Sequence, residues 1–226
     1  MMRRDALVLG GALVVVAGVA SGHSWVSLLA SVVGWVLLCV AVRRPAPTDY
    51  RHVVAAGAVA AVVVACGDYL LAAPGTALLF HVRRELPWLR ISPGVEAARG
   101  VLMASCLLAH ARLRSRLHVV PASLAVAGIG ILCGFAFEAS GTRSGLWVWN
   151  ASQMPDWRLG SAWMFVPIAW GATFLMAAYY LMRFSRRVPK QFYPVGVGVR
   201  CGTGYVALLL ISYGFLLRIY GKAGLH

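Results

Sequence analysis

The sequence predicts an all-α, polytopic membrane protein with seven transmembrane helices. Of its 226 residues, 60% are hydrophobic and 12% are charged, and the mean hydropathy is +0.76. Soluble domains carry roughly a quarter charged residues, and a chain this apolar does not remain disordered in water. Apolar runs of about 17 to 25 residues, the length that crosses the hydrocarbon core, recur along the whole chain. We therefore expect one transmembrane domain over residues 1–226.

The predicted spans are apolar runs separated by short polar segments. They cover residues 6–22, 25–42, 52–73, 93–111, 119–139, 162–184 and 202–219. The fourth is the weakest because Glu96 and Arg99 lie in its first turns, although Ser92 followed by Pro93 is a good helix start. Arg3 and Arg4 before the first span leave a cleavable signal peptide as an alternative, which would leave six helices.

The charge distribution predicts how the chain is threaded through the membrane. There are 21 Lys and Arg residues against 7 Asp and Glu, a net charge of +14. An inside N-terminus and an outside C-terminus place most bases in cytoplasmic segments, as the positive-inside rule requires. Most of the acids then fall in the outer half. We expect a multi-pass protein of the cytoplasmic (inner) membrane, and no nucleic-acid partner, because no basic segment is interleaved with aromatic residues.

Three connecting segments have a predicted role of their own. Residues 74–92 mix apolar residues with Arg and Glu, which predicts an amphipathic helix in the interface with Trp88 at headgroup depth. Residues 140–161 form a tryptophan-rich outer loop. Residues 183–202 form a basic inner loop, which we expect to contact anionic headgroups.

The Cys and His residues do not predict a metal site. The five cysteines include no CxxC pair, and the six histidines include no HExxH motif. Cysteines inside apolar spans usually act as small packing residues. We therefore expect no metal and no cofactor.

Two acidic residues within spans are the main candidates for function. Asp68 lies about 9 Å below the end of the third span, and an ionisable residue at that depth is by default a functional hypothesis. Its alternative is an Asp held by Arg or Tyr of a neighbouring helix for packing. Glu138 ends the apolar run of the fifth span and is suited to donate a proton if shielded from water. Its alternative is a helix-end carboxylate facing solvent.

A family resemblance adds to this interpretation. Glu138 is followed by a glycine-containing loop, two alternating tryptophans and a Val-Pro helix entry with a downstream Trp; the residues that carry this pattern are Glu138, Gly141, Gly145, Trp147, Trp149, Pro155, Val166, Pro167 and Trp170. The pattern, over about residues 138–170, resembles the integral-membrane carotenoid hydratases of the bisanhydrobacterioruberin type. The chain is also similar in size to the small seven-helix membrane terpene cyclases, which use membrane carboxyls to protonate an isoprenoid.

The resemblance implies an enzyme of isoprenoid metabolism, either a terpene cyclase (an isomerase) or a hydratase (a lyase). Glu138 is then the acid and Asp68 its partner. The expected substrate-binding residues are Trp147, Trp149, Asp156, Trp157 and Trp170, since Trp offers the strongest cation–π surface to a carbocation. For Trp147 and Trp157, an interfacial aromatic belt is the alternative.

The expected partners are membrane lipids and an apolar isoprenoid substrate, while the oligomeric state stays open. Two other functions remain. A small-solute transporter would need a polar path through both leaflets, yet the inner halves of the spans hold almost no acid. A non-catalytic membrane assembly protein would use the segment around Trp88 and the tryptophan-rich loop for docking.

Overall fold

A computed structural model describes residues 2–43, 48–72, 79–82, 84–86, 88–150, 157–176, 181 and 192–220. The all-α class is confirmed. In these ranges seven helices, which we number in chain order, are α1 Met2–Ala20, α2 Ser24–Ala41, α3 Thr48–Leu71, α4 Pro93–Arg114, α5 Val119–Arg143, α6 Phe165–Leu175 and α7 Tyr193–Tyr220. Four short strands accompany them: β1 Leu79–His81, β2 Trp147–Trp149, β3 Arg158–Leu159 and β4 Ala162–Trp163.

Within the described ranges, four helices are long and apolar enough to cross a membrane. The apolar stretches are Ser24–Ala41, Tyr50–Leu71, Val119–Arg143 and Tyr193–Gly214. Large apolar side chains on these helices are exposed, for example Leu29 and Val36 on α2, Val62 on α3 and Leu132 on α5. Such a surface is unfavourable in water and matches a lipid environment. The membrane-protein class therefore agrees with the sequence.

Helix α4 is the buried centre of the bundle. It packs against α1, α2, α3 and α5, and almost every residue from Gly94 to Leu108 is buried. Gly57 of α3 allows this approach, because a Cβ atom there would overlap Ala104 of α4. Helix α4 was the weakest predicted span because it contains polar residues. At the centre of the bundle its polar side chains face protein rather than lipid, so a lower apolar content is tolerated there.

The predicted amphipathic helix between α3 and α4 is wrong for the described part of residues 74–92. Leu79–His81 forms strand β1, which pairs antiparallel with β2 so that Leu79 lies opposite Trp149 and His81 opposite Trp147. Residues 84–86 and 88–92 are turns and bends. Leu79 and His81 are both buried, and residues two apart lie on the same face of a strand. Trp88 is exposed.

Two further boundaries differ from the prediction. The sixth helix begins at Phe165 instead of residue 162, because Ala162–Trp163 pairs with β3. Helix α7 begins at Tyr193, so the end of the predicted basic loop is helical. Pro194 is tolerated there because the first turn of a helix needs no donor from it. Residues 183–191 of that loop lie outside the described residues.

Candidate functional site

Three charged side chains meet where α3 ends and α4 begins. Arg99 Nη1 donates to Asp68 Oδ2 at 2.5 Å and to Glu96 Oε2 at 3.1 Å. All three residues are buried. Glu96 and Arg99 are three residues apart on α4, so they share one face of that helix, and Asp68 approaches from α3. Burial of this kind is tolerated because each charge has a partner.

Aromatic rings complete the surroundings of Arg99. Its guanidinium carbon lies 5.5 Å from the centroid of Phe137 and 5.9 Å from that of Tyr205. Both rings belong to other helices, α5 and α7. Cation–π contact with desolvated rings is favourable, so the cation is held by two carboxylates and two aromatic faces.

Glu138, the residue after Phe137 on α5, is buried beside two tryptophan side chains. Trp149 Nε1 donates to Glu138 Oε1 at 2.6 Å, and Trp147 Nε1 donates to Oε2 at 3.2 Å. The residue is only 2% exposed. The alternative of a helix-end carboxylate facing water is therefore wrong. Gly141, one turn further along α5, leaves room for the Trp147 ring, which a methyl group there would overlap.

The other predicted tryptophans have different positions. Trp170 on α6 is fully buried, and its ring lies 6.3 Å from Phe137 and 5.8 Å from Tyr205. Its Nε1 has no hydrogen-bond partner among the described residues. Trp157 is half-buried beside the core, and its carbonyl accepts a bond from the Met164 N–H. Asp156 lies outside the described residues.

The structure therefore brings most of the predicted site residues together. Phe137 contacts Trp147 with ring centroids 5.0 Å apart, and it also faces Arg99. Glu138 with its two tryptophans and the Asp68–Arg99 pair are thus adjacent parts of one buried cluster. Because Trp147 and Trp149 are buried and bonded to Glu138, the aromatic-belt alternative is wrong for Trp147.

His81 connects this cluster to the start of α4. The Ser92 N–H donates to His81 Nδ1 at 3.1 Å, while His81 Nε2 lies 3.9 Å from Glu96 Oε1. Burial lowers the pKa of His81 to about 4, despite the opposing effect of Asp68. The ring is consequently neutral at physiological pH.

Glu85 and Ser92 fix the first turn of α4. The Ser92 hydroxyl donates to the Glu85 carboxylate and accepts a bond from the Val95 N–H, as predicted for a cap. The Gly94 N–H donates to Glu85 Oε1 at 2.9 Å. An acid at the positive end of a helix is favourable, so these contacts hold Glu96 and Arg99 in position.

Asp68, His81 and Glu96 could be considered as metal ligands, because one ligand atom of each lies within 4.8 Å of the others. Two observations oppose a cation there. His81 Nδ1 accepts a hydrogen bond from a backbone N–H, so the neutral ring carries its proton on Nε2 and cannot bind a metal through that atom. Arg99 already bonds to both carboxylates. The donor set fits an internal ion pair better than a metal site.

The residues that surround the two acids were not predicted from the sequence as site residues. They are Arg99, Glu96, His81 and Tyr205. Arg99 lies within an apolar run, which was a usable signal because a buried cation requires an anion nearby. The alternative proposed for Asp68, an Asp held by Arg of a neighbouring helix, describes its observed contact.

No protein-family model matches the chain, and no curated protein and no solved structure matches it either.

Proposed function

We propose a multi-pass protein of the cytoplasmic membrane with seven spans, an inside N-terminus and an outside C-terminus. Three helices beyond the four long apolar ones complete this arrangement: α1, the buried α4, and α6, whose described part is short. In this topology Asp68, Glu96 and Glu138 all lie toward the outer leaflet, where α3 and α5 end and α4 begins. The basic N-terminal end of α1 then faces the cytoplasm.

Within this topology we propose an enzyme that protonates an apolar isoprenoid lipid, leading to cyclisation or hydration. The observation that carries the proposal is the environment of Glu138, a buried carboxyl whose two oxygens accept hydrogen bonds from the indole N–H groups of Trp147 and Trp149. No ion pair involving Glu138 occurs among the described residues. A carboxyl among apolar and aromatic groups can be kept neutral and so deliver a proton.

The reaction that fits this arrangement starts with protonation of an alkene. The Glu138 carboxyl transfers its proton to one carbon of a C=C bond, whose π electrons form the new C–H bond, leaving a carbocation and the Glu138 carboxylate. Hydration follows if water adds to the cation and releases a proton. Cyclisation follows if a second C=C attacks and a neighbouring C–H proton is lost. A proton from solvent restores the Glu138 acid.

The neighbouring residues have distinct roles in this proposal. The rings of Trp147, Trp149 and Trp170 shield the cation from water and stabilise it through their π faces. Asp68 is the second carboxyl, which orients water or removes the proton, and Arg99 fixes its position. We also assign Trp157 to the substrate site; Asp156, predicted from the sequence as part of it, lies outside the described residues.

Deuterium incorporation tests this reaction directly. The protein is reconstituted in lipid nanodiscs in D2O with a panel of linear polyprenyl alcohols and acyclic carotenoids, and the lipids are analysed by mass spectrometry. Either outcome of the proposed reaction introduces one non-exchangeable deuterium on carbon. Cyclisation gives an isomer that carries it, and hydration gives an alcohol that carries it.

Variants assign the proton donor. We expect Glu138→Gln to reduce turnover by about a hundredfold or more, the usual contribution of a general acid. Asp5→Asn is the control, because Asp5 pairs with Arg112 at the opposite end of the bundle and takes no part in the proposed reaction. Full turnover in a folded Glu138→Gln variant would remove Glu138 as the acid. A panel without any deuterated product would contradict the proposed reaction.

A further inference from the structure

Two cysteines of neighbouring helices meet inside the bundle. Cys106 lies on α4 and Cys133 on α5, and the Cys106 thiol donates a hydrogen bond to the Cys133 sulfur. Cys201 of α7 lies close enough to Cys106 to act on it electrostatically. The helices that carry the pair are adjacent in space but the two residues are distant in the chain, so no local sequence motif indicates the contact.

Both cysteines border a cleft that opens to the lipid. The cleft has a volume of about 580 Å³, and Cys106 and Cys133 line it together with apolar residues of α1. Leu9 and Ile129, which also line it, are exposed on the outside of the bundle. Cys133 is partly exposed, whereas Cys106 is buried. An apolar molecule that enters sideways from the lipid therefore reaches Cys133 first.

The hydrogen bond gives the two sulfurs different chemical roles. The thiolate rather than the thiol is the nucleophile, and a donated hydrogen bond stabilises negative charge on its acceptor. Cys133 is the acceptor and is therefore suited to attack, while Cys106 holds a second thiol against it. Two sulfurs in hydrogen-bond contact need to approach by only about 2 Å to reach the S–S distance of a disulfide.

We propose that Cys133 is an oxidation site for organic hydroperoxides of the lipid phase and that Cys106 resolves the oxidised sulfur as a disulfide. The Cys133 sulfur attacks the terminal peroxide oxygen and the O–O bond breaks. The alkoxide leaves with the Cys133 proton, which gives an alcohol and a sulfenic acid on Cys133. The Cys106 sulfur then attacks the Cys133 sulfur, the S–O bond breaks, and the hydroxide leaves as water with the Cys106 proton.

The electrons balance without any bound cofactor. The two sulfurs together lose two electrons, and the hydroperoxide takes both of them as it becomes an alcohol and water. The resulting bond ties α4 to α5, two turns along α4 from Arg99 and one turn along α5 from Phe137. The site stands apart from the proposed isoprenoid reaction, because neither sulfur takes part in it.

Peptide mapping of the oxidised full chain tests the site. The reduced protein in lipid nanodiscs is treated with cumene hydroperoxide, remaining thiols are blocked with N-ethylmaleimide on denaturation, and unreduced peptides are analysed by mass spectrometry. We expect a Cys106–Cys133 disulfide that dithiothreitol cleaves. It should form about tenfold or more faster than Cys66 is oxidised, because a hydrogen bond to a charged group favours the Cys133 thiolate.

Cys66 is the internal control, because it is more exposed than Cys133 and lies on α3, away from the cleft. If exposure alone governed the reaction, Cys66 would be oxidised first. Oxidation of Cys66 as fast as that of Cys133, or a disulfide between Cys106 and Cys201, would overturn the proposal.

Single variants separate the two roles. In Cys106→Ser the serine hydroxyl can still donate to Cys133 but cannot form a disulfide, so the sulfenic acid on Cys133 should accumulate and be trapped by dimedone. In Cys133→Ser the buried Cys106 should remain a free thiol. Cys66→Ser is the matched control and should form the disulfide at an unchanged rate. Oxidation of Cys106 in a folded Cys133→Ser variant would refute the assigned order of attack.

Discussion

Arg99 of α4 binds Asp68 of α3 with 2.5 Å between Nη1 and Oδ2, within the apolar interior. Glu96 shares the same guanidinium. Replacing Arg99 by Met leaves two buried carboxylates without a cation, and we expect a loss of about 3–5 kcal/mol in the free energy of unfolding. Asp68→Asn should cost less, because Glu96 still pairs with Arg99. Denaturant titration in mixed micelles measures both losses.

The Asp5–Arg112 pair provides the control for this prediction. Its side chains are 51% and 20% exposed, so Arg112→Met should cost at most about 1 kcal/mol. If Arg99→Met and Arg112→Met lowered the free energy of unfolding by similar amounts, burial of the Asp68–Arg99 pair would not increase its contribution to stability.

Trp149→Phe separates the hydrogen bond of Trp149 from its packing. A phenyl ring can keep the edge contact with Phe165, whose ring centroid lies 5.0 Å away. Glu138 Oε1, however, loses its indole donor. We expect a destabilisation of about 1–3 kcal/mol by denaturant titration. Trp88→Phe is the control because Trp88 is 76% exposed, and an equal loss there would contradict the prediction.

A pair of glycine substitutions on α5 tests the space beside Glu138. A methyl group at Gly141 overlaps the Trp147 ring, whereas Gly128 has open space around its Cβ position. Gly141→Ala should therefore lower the thermal midpoint and displace Trp147 from Glu138. Gly128→Ala should raise stability by about 0.5–1 kcal/mol through helix propensity. A thermal midpoint for Gly141→Ala at or above that of Gly128→Ala would show that Trp147 is not held as described.

His81 predicts a loss of stability in acid. Its pKa is about 4 in the folded protein against 6.5 for an ordinary His, so the unfolded chain takes up a proton first as pH falls. Stability contributed by His81 is present above pH 6.5, is lost between pH 6.5 and 4, and does not change further below. The expected loss is about 3 kcal/mol.

Asp68, Glu96, Arg84 and Arg99 also act on His81, so a variant must isolate the ring. His81→Asn keeps an acceptor for the Ser92 N–H but does not titrate. The free energy of unfolding of the two proteins is compared between pH 6.5 and 4. If the free energy of unfolding changed equally with pH in the two proteins, His81 would not titrate as described.

Divalent cations should not stabilise the cluster. The proton on His81 Nε2 and the contacts of Arg99 leave no suitable set of ligands. Thermal midpoints with EDTA, Mg²⁺, Mn²⁺ or Zn²⁺ should agree. A saturable rise with one metal, absent from His81→Asn, would contradict the tautomer inferred here.

The sequence by itself determined the class of the protein and most of its helix positions. Long apolar runs must be helical in lipid, because a helix satisfies its own backbone hydrogen bonds. The start of α4 followed from Ser92 and Pro93, whose cap geometry is purely local. The same kind of reasoning identified Asp68 and Glu138 as unusual, since charge inside an apolar run costs free energy wherever it lies.

Tertiary structure decided which residues meet. Strand β1 forms because β2, more than 60 residues later, supplies its backbone hydrogen-bond partners. In so short an apolar segment, the residue pattern alone cannot distinguish a helix from a strand. Asp68 and Arg99 come from different helices, and so do Arg99 and Tyr205. Their pairing depends on how α3, α4, α5 and α7 pack, which local residue patterns do not encode.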